Sequence, residues 1–414
     1  MMQEFLKKGY EIVENTQKAD IYIVNTCTVT NMSDRKSRQM LRRVKELNPK
    51  AIVVASGCYV QVAKKELENI KEIDLILGNN EKNKIVGYIE KYIKDKNNQL
   101  EIEDVMQTKE FVDFGEVTYT EKTRAVIKIQ DGCDRFCSYC IIPYARGRVR
   151  SRKPENVISE IEKISKEGIK EVVITGIHVA SYGKDFKEKF GLIDLLEEIN
   201  KLNGIERIRL SSIEPTIIDE EFLERLTKLE KICPHFHLSL QSGCDETLKR
   251  MNRRYTTTKF KEIVGLLREY YNDVILTTDV IVGFPGETEE EFNKTYKFLE
   301  EIKFYKMHVF KYSQRKGTKA AEMKNQIDGK VKEERSHKLL ELSDKNELEY
   351  NQKYIGEEVD VLFEEEKEGI YKGHLKNYIL AYLENCDENL ENKIIKVKIE
   401  KAEKDHVVVR KVEM

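Results

Sequence analysis

No run of apolar residues in this 414-residue chain is long enough to span a membrane. No positively charged leader opens it either: Met1-Met2-Gln3-Glu4-Phe5 is polar and acidic, unlike a secretory signal. A dominant charge is missing as well. The net charge is −2, so bulk electrostatics do not announce a nucleic-acid partner. Cysteine is scarce, at eight residues, and five of these sit in metal-like settings rather than in a disulfide framework. That usage points to the reducing cytoplasm. Internal repeats and low-complexity tracts are absent. What remains, 40% hydrophobic and 35% charged, describes a soluble globular protein long enough for two or three domains.

The fold class expected is α/β with a small all-β end. Residues 1–95 alternate buried-strand runs at Ile21–Val24, Ile52–Ala55 and Leu75–Leu77 with helical stretches near 33–47 and 81–94, a doubly wound parallel unit. Residues 96–121 are polar and irregular and read as a linker. A second alternation fills 122–350, with strands expected at 125–130, 171–175, 206–211, 235–240, 274–282 and 306–312. One helix starts after Pro154, keeps Val157, Ile158, Ile161 and Ile164 on a stripe, and ends at Gly168. Six βα units are too few for an eightfold barrel, so a partial, six-stranded barrel is expected. Residues 351–414 alternate in Val359–Phe363, Tyr378–Leu383, Ile394–Ile399 and Val407–Val409, which predicts a small antiparallel β-barrel with a net acidic charge.

The strongest chemical signal is Cys133, Cys137 and Cys140, spaced C-x3-C-x2-C after the first strand of the second alternation. Thiolates are soft ligands for iron–sulfur clusters or zinc. The next cysteine is Cys233, so no fourth thiolate lies nearby. A cubane cluster on three thiolates would keep one iron open to a small ligand. A zinc knuckle completed by a distant His, or buried thiols without a metal, are the plainer readings. Two basic runs, Arg35, Lys36, Arg38, Arg42 and Arg43, and then Arg146, Arg148, Arg150, Arg152 and Lys153, are either solvated surfaces or contacts to a polyanion.

Chemistry in parallel sheets collects at the carboxyl ends of strands. Here every expected strand of the second alternation runs into unusual residues: the cysteine loop, Thr175-Gly176-Ile177-His178, Ser211-Ser212-Ile213-Glu214-Pro215, Ser239-Leu240-Gln241-Ser242-Gly243, Val282-Gly283-Phe284-Pro285-Gly286-Glu287 and Tyr312-Ser313-Gln314-Arg315. Six such endings on one rim read as an active site.

These features together resemble the radical S-adenosylmethionine (SAM) enzymes. The resemblance implies a 4Fe–4S cluster on Cys133, Cys137 and Cys140 whose open iron takes SAM. It places Tyr139 along the adenine, Thr175 and Gly176 at the SAM amino group, and Gln241 with Val280–Gly283 at the ribose and adenine. Arg253 or Arg254 would hold the carboxylate. The whole chain is similar to the methylthiotransferase branch, which joins an α/β domain with a second, auxiliary 4Fe–4S cluster, the radical SAM barrel and a TRAM domain. Residues 24–39, Ala55-Ser56-Gly57-Cys58-Tyr59, and the stretches 308–315 and 317–321 carry this likeness. The Asn25-Thr26-Cys27-Thr28-Val29-Thr30 wording resembles members that methylthiolate carbon 2 of N6-threonylcarbamoyladenosine beside the tRNA anticodon. Sister members act on isopentenyladenosine or on a ribosomal protein aspartate. A tRNA anticodon loop, a flavodoxin- or ferredoxin-like reductant and a monomeric state follow from the same resemblance.

Cys27 and Cys58 each end an expected strand of one parallel sheet, where two loops can converge on a ligand. Buried structural cysteine is the plainer reading. The family uses three thiolates at the auxiliary site, the first on a strand that precedes the segment matching Met1–Leu6. The expectation is therefore a chain that begins inside the family's first helix, without that strand and ligand, either because the sequence is truncated or its start misassigned, or because the protein is degenerate. Such a form should be less stable, and its auxiliary cluster weakly held or inactive.

Overall fold

The computed structural model describes residues 1–96, 99–115 and 123–412, so part of the expected linker lies outside the described residues. Its strands and helices group into two units. One gathers Met1–Val117, Asp131–Arg150 and Ser313–Glu322; the other gathers Thr118–Gln130, Ser151–Tyr312 and Met323–Met414.

In the first unit, β1 (Ile21–Thr26), β2 (Ile52–Gly57), β3 (Leu75–Leu77) and β4 (Gln99–Glu101) form one parallel sheet in that order. The segment read as irregular thus supplies a fourth strand, paired with β3 from Leu75–Gln99 to Leu77–Glu101. Three residues are too few for an alternating pattern to register, which is why the composition masked it. β1 pairs directly with β2 along six residues, ending at Thr26 opposite Gly57. The helix Asn31–Leu47 starts where Thr30 accepts the Ser33 N–H, and it buries Ser37, Leu41 and Val44 at helical spacing. Leu41 and Val44 meet Tyr22, Val53 and Ala55 on one face of the sheet; Ile85 and Ile89 meet Val54, Leu75 and Leu77 on the other. Both faces are covered, as a doubly wound unit requires.

In the second unit, β5 (Arg124–Asp131), the short β6 (Arg150–Ser151), β7 (Glu171–Gly176) and β8 (Arg207–Leu210) form a sheet ordered β6-β5-β7-β8. β9 (His235–Gln241), β10 (Ile275–Val282) and β11 (Lys306–Lys311) form another, in chain order. Parallel bridges Ile208–Ile232 and Ile213–Leu238 join the two edges. The six parallel strands β5, β7, β8, β9, β10 and β11 therefore curl into a half-barrel. Alternate residues Ile127, Ile129, Val172, Ile174, Ile208, Leu210, Phe236, Leu238, Leu276 and Val280 pack outward against helices, including Val157, Ile161 and Ile164 of Pro154–Lys166. The opposite face carries Gln130, Thr175, Arg207, Arg209, His237, Thr277, Asp279 and His308.

After the helix Gly329–Lys353, a closed barrel is built from β12 (Glu358–Lys367), β13 (Ile370–Leu375), β14 (Leu380–Glu384), β15 (Ile394–Ala402) and β16 (Val407–Lys411), ordered β12-β13-β14-β16-β15. It is mixed rather than purely antiparallel, because β14 and β16 run parallel from Ala381–Val407 to Leu383–Val409. β15 pairs antiparallel with both β12 and β16. With the first three strands alternating in direction, β16 can only close the ring alongside β14 in the same sense. β13 escaped the sequence pattern because Lys372, Gly373 and His374 break its apolar alternation.

Candidate active site

The three-cysteine loop leaves the end of β5 through Gly132, whose φ is +74°. A Cβ there would stand 1.8 Å from the Arg148 carbonyl oxygen, so only glycine lets the returning chain pass this close. Cys133 N–H donates to the Gly147 carbonyl at 3.0 Å, closing the loop at its base. Inside it, Phe136 adopts a left-handed φ of 48°, and Cys140 N–H donates to the Cys137 carbonyl at 2.9 Å. Arg135 N–H points at Cys133 Sγ at 3.5 Å, the direction a thiolate acceptor needs. Cys137 and Cys140 line a cavity of about 190 Å³ with Phe136, Ser138, Tyr144, Thr318 and Lys319. Tyr139 sits half-buried in the turn before Cys140. As the side chains stand, no group of three or more His, Cys, Asp or Glu among the described residues is arranged to hold a metal ion. The loop nonetheless offers what a thiolate-held cluster uses: sulfurs on one short loop, a backbone N–H directed at one sulfur, and a small cavity beside two of them.

Cys27 and Cys58 directly follow the paired residues Thr26 and Gly57, so adjacent parallel strands deliver them to neighbouring positions. Gly57 permits that closeness: a Cβ there would meet the Thr26 carbonyl oxygen at 2.3 Å. Cys58 is buried and Cys27 exposed. The Cys58 sulfur accepts a hydrogen bond from Arg146 Nε at 3.1 Å. Asn79 Nδ2 lies 3.9 Å from the same sulfur and donates to the Ala145 carbonyl at 2.8 Å. Arg146 also faces Asp131 at 3.5 Å. Burial opposes charge on Arg146, but Cys58 and Asp131 outweigh it and raise its pKa. Sequence reasoning placed Arg146 in a polyanion-binding run and missed this contact, because nothing in local spacing relates position 58 to position 146.

The rest of that run is also spoken for. Arg150, 2% exposed, donates to the Arg146 carbonyl at 2.7 Å and sits 3.8 Å from Asp131. Arg152 is buried against Glu160. Arg148 is exposed but faces Asp134 at 3.2 Å and covers the Phe136 ring. Arg146 and Arg150 thus shape the base of the cysteine loop, Arg152 is tied to Glu160, and only Arg148 and Lys153 of this run stay exposed. The earlier run behaves differently, since Arg35, Lys36, Arg42 and Arg43 stay exposed along Asn31–Leu47. Arg38 turns into a cleft of about 740 Å³, where it donates to the Tyr59 hydroxyl at 2.6 Å, near Lys64, Lys65, Tyr144 and Lys316.

In the second unit, the expected SAM residues cluster at carboxyl strand ends. Thr175 and Gly176 close β7, and a Cβ on Gly176 would touch the Gln130 side chain of β5 at 3.0 Å. Gln241 ends β9 with φ +72°, a left-handed conformation unusual for a residue with a Cβ. Gly283 follows β10 with φ +68°, and its N–H donates to buried Glu287 at 2.6 Å. Arg253 reaches the same rim, donating to the Ser239 carbonyl at 2.9 Å; Arg254 is exposed. The structure adds a pair that the strand-end runs contained without a stated role. His178 Nε2 lies 2.7 Å from Glu214 Oε2, its Nδ1 lies 2.7 Å from Ser181 Oγ, and its backbone N–H donates to Gln130 Oε1 at 2.7 Å.

Residues 127–299 match the model of the radical SAM superfamily, and residues 1–78 match that of the uncharacterized protein family UPF0004. The threonylcarbamoyladenosine tRNA methylthiotransferase MtaB of Bacillus subtilis is 42% identical over 97% of this chain and 90% of its own length. That of Aquifex aeolicus is 43% identical over 88% and 89%. A tRNA-2-methylthio-N(6)-dimethylallyladenosine synthase of Thermoanaerobacter is 38% identical over 86% and 77%. Among solved structures, a radical S-adenosylmethionine methyltransferase from Kitasatospora setae, TsrM, superposes with a TM-score of 0.57 at 18% identity. That match covers 74% of this chain and 66% of TsrM and speaks to the fold alone. No helix among the described residues is long and apolar enough to cross a membrane.

Proposed function

From the radical SAM methylthiotransferases, the family to which this chain belongs, we propose its specific activity: methylthiolation of carbon 2 of N6-threonylcarbamoyladenosine beside the anticodon of tRNA. Identity of 42% over nearly the whole chain to a threonylcarbamoyladenosine tRNA methylthiotransferase supports the substrate. The delivery of Cys27 and Cys58 to neighbouring strand ends in the same unit as the three-cysteine loop, with Arg146 bridging Cys58 to that loop's base, supports the chemistry. Two thiol sites on one body fit a reaction that needs a radical and a sulfur in one place.

Cys133, Cys137 and Cys140 would hold the 4Fe–4S cluster that binds SAM, and Cys27 and Cys58 would contribute to an auxiliary cluster. When bound and reduced by an external electron donor, the first cluster supplies cleavage of SAM to a 5′-deoxyadenosyl radical. The protein's part is positioning. Gly132 lets the loop fold back tightly on Gly147 and Arg148, and the Arg135 N–H points at the Cys133 sulfur. Thr175, Gly176, Gln241, Gly283 and Arg253 would orient SAM through main-chain and side-chain polar contacts at the rim. Tyr139, half-buried beside the last thiolate, would lie against the adenine. Arg146 donates to the Cys58 sulfur and faces Asp131, which keeps Cys58 near the loop's base.

Mass spectrometry of tRNA nucleosides tests the assignment. A deletion strain should lose the methylthio form of threonylcarbamoyladenosine while keeping its unthiolated precursor, and this chain should restore it. Restoration of methylthiolated isopentenyladenosine or of a modified ribosomal aspartate instead would move the protein to a sister activity.

A further inference from the structure

We propose that Ser313–Glu322 is a clasp that sets the spacing between the Cys27–Cys58 strand ends and the three-cysteine loop, with Arg315 as its positioning residue. This stretch contains the Arg315 and Gly317–Ala321 motif, to which neither SAM nor RNA binding assigns a role. It rests on the methylthiotransferase reading above, because only a reaction that uses both thiol sites needs their spacing fixed.

All three partners belong to one unit. The guanidinium of Arg315, whose side chain is 7% exposed, ends in the segment directly after Cys27. One terminal nitrogen donates to Thr28 Oγ1 at 2.5 Å and faces Asp34 Oδ2 at 2.8 Å. The other donates to Asn31 Oδ1 at 2.7 Å. Asn31 answers from its own side: its backbone N–H donates to Ser313 Oγ at 3.1 Å and its Nδ2 to the Gln314 carbonyl at 2.8 Å. Four hydrogen bonds and an ion pair thus lock the clasp to the turn joining Cys27 to the helix Asn31–Leu47.

Its far end grips the other site. Ala320 N–H donates to the Ser138 carbonyl at 2.8 Å, between Cys137 and Cys140. Thr318 and Lys319 line the cavity those two sulfurs share. Within the clasp, the Thr318 hydroxyl donates to the Arg315 carbonyl at 2.7 Å and Gln314 Nε2 to the Ala321 carbonyl at 2.7 Å, so the two grips move as one piece. Arg315 suits the task because a planar fork fixes direction as well as distance, which a lysine cannot do. The Arg315 contacts to Thr28 and Asp34 are buried, so they escape the solvent competition that weakens exposed pairs such as the Asn31 bonds to Ser313 and Gln314.

The experiment compares wild type, Arg315→Met and Thr28→Val. In the apoprotein, hydrogen exchange should accelerate in 27–37 and 131–147 of Arg315→Met and stay unchanged in 358–411. Thr28→Val, which removes one acceptor at nearly constant volume, should show a smaller rise in the same two segments. In the reconstituted enzyme, Arg315→Met should form 5′-deoxyadenosine within about twofold of wild type yet lose methylthiolated nucleoside by about 100-fold, as expected for a misplacement near 1 Å. If Arg315→Met does not fold, Thr28→Val carries the same uncoupling at about tenfold. A product-to-deoxyadenosine ratio equal to wild type in the folded variants overturns the clasp, as does exchange that rises in only one of the two segments. Wild-type protein that makes deoxyadenosine but no methylthiolated nucleoside would overturn the functional reading instead, and the apoprotein exchange would still judge the clasp.

Discussion

At the scale of single residues, the two thiol sites make separable demands. Cys137 lines the loop cavity, and replacing it with alanine deletes one of three thiolates while leaving the Gly132 turn and the Cys133–Gly147 closure intact. Cys137→Ala should therefore abolish 5′-deoxyadenosine formation with little loss of folding stability. Detectable deoxyadenosine above the no-enzyme control would remove Cys137 from the ligand set. Cys58→Ala should do the reverse, keeping deoxyadenosine formation while product falls to background. Parallel loss of both products would mean that Cys58 supports the loop rather than the sulfur step. The cysteines were legible in the sequence because ligand spacing is local. Arg146 and the His178–Glu214 pair were not, since each joins positions 36 or more residues apart. Contacts of that kind leave no periodic trace.

At the scale of elements, identical residue types split by the backbone that carries them. Arg35, Arg42 and Arg43 project from a helix whose opposite stripe, Ser37, Leu41 and Val44, is buried; they have nowhere to go but solvent. Arg150 instead lies on a returning strand and fills the space behind the cysteine loop. The triple change Arg35→Ala, Arg42→Ala, Arg43→Ala should weaken RNA binding and flatten the salt slope by about 0.7 per lost phosphate contact, with unchanged melting. Arg150→Ala should leave the salt slope alone and cost about 3 kcal/mol of stability, the usual result of breaking a buried charge pair. Salt titration of binding beside thermal melts distinguishes them, and an unchanged slope in the triple variant would return that helix face to plain solvation. The sequence could not sort these two runs, because both read as dense positive charge. The six long strands of the half-barrel were readable as strands, since outward apolar residues alternate along them. The two short strands, β4 and β6, were not, having too few residues to alternate.

At the scale of the whole molecule, the second unit depends on charge buried at the floor of its half-barrel. The inward positions of β8 are Arg207 and Arg209, an arrangement that would be prohibitive without partners. Glu171 of β7 supplies one, accepting from Arg209 Nε at 2.8 Å and facing Arg124 at 2.5 Å. The C-terminal barrel, in the same unit, supplies the others. Arg124 pairs with Glu364 at 2.7 Å, and Arg207 donates to the Asp360 and His374 carbonyls at 2.9 Å each. Tyr378 lies under Arg209, 4.4 Å from guanidinium carbon to ring centre. Half-barrel and β-barrel should therefore unfold in one calorimetric transition. Burial pushes the Glu171 carboxyl up, but Arg209 and Arg124 prevail and hold its pKa at about 2. An unfolded glutamate titrates near 4.3, so the folded pKa is the depressed one. Its stabilisation is thus complete above roughly pH 5 and is lost as pH falls through about 4 towards 2, a contribution on the order of 3 kcal/mol. Glu171→Gln should then be less stable than wild type by about that amount at pH 7, and the gap should close as both are titrated to about pH 2.5. Denaturant melts across that range provide the measurement. A gap that stays constant with pH would show that Glu171 acts there through shape and hydrogen bonding, and that its charge is not what joins the two halves of this unit.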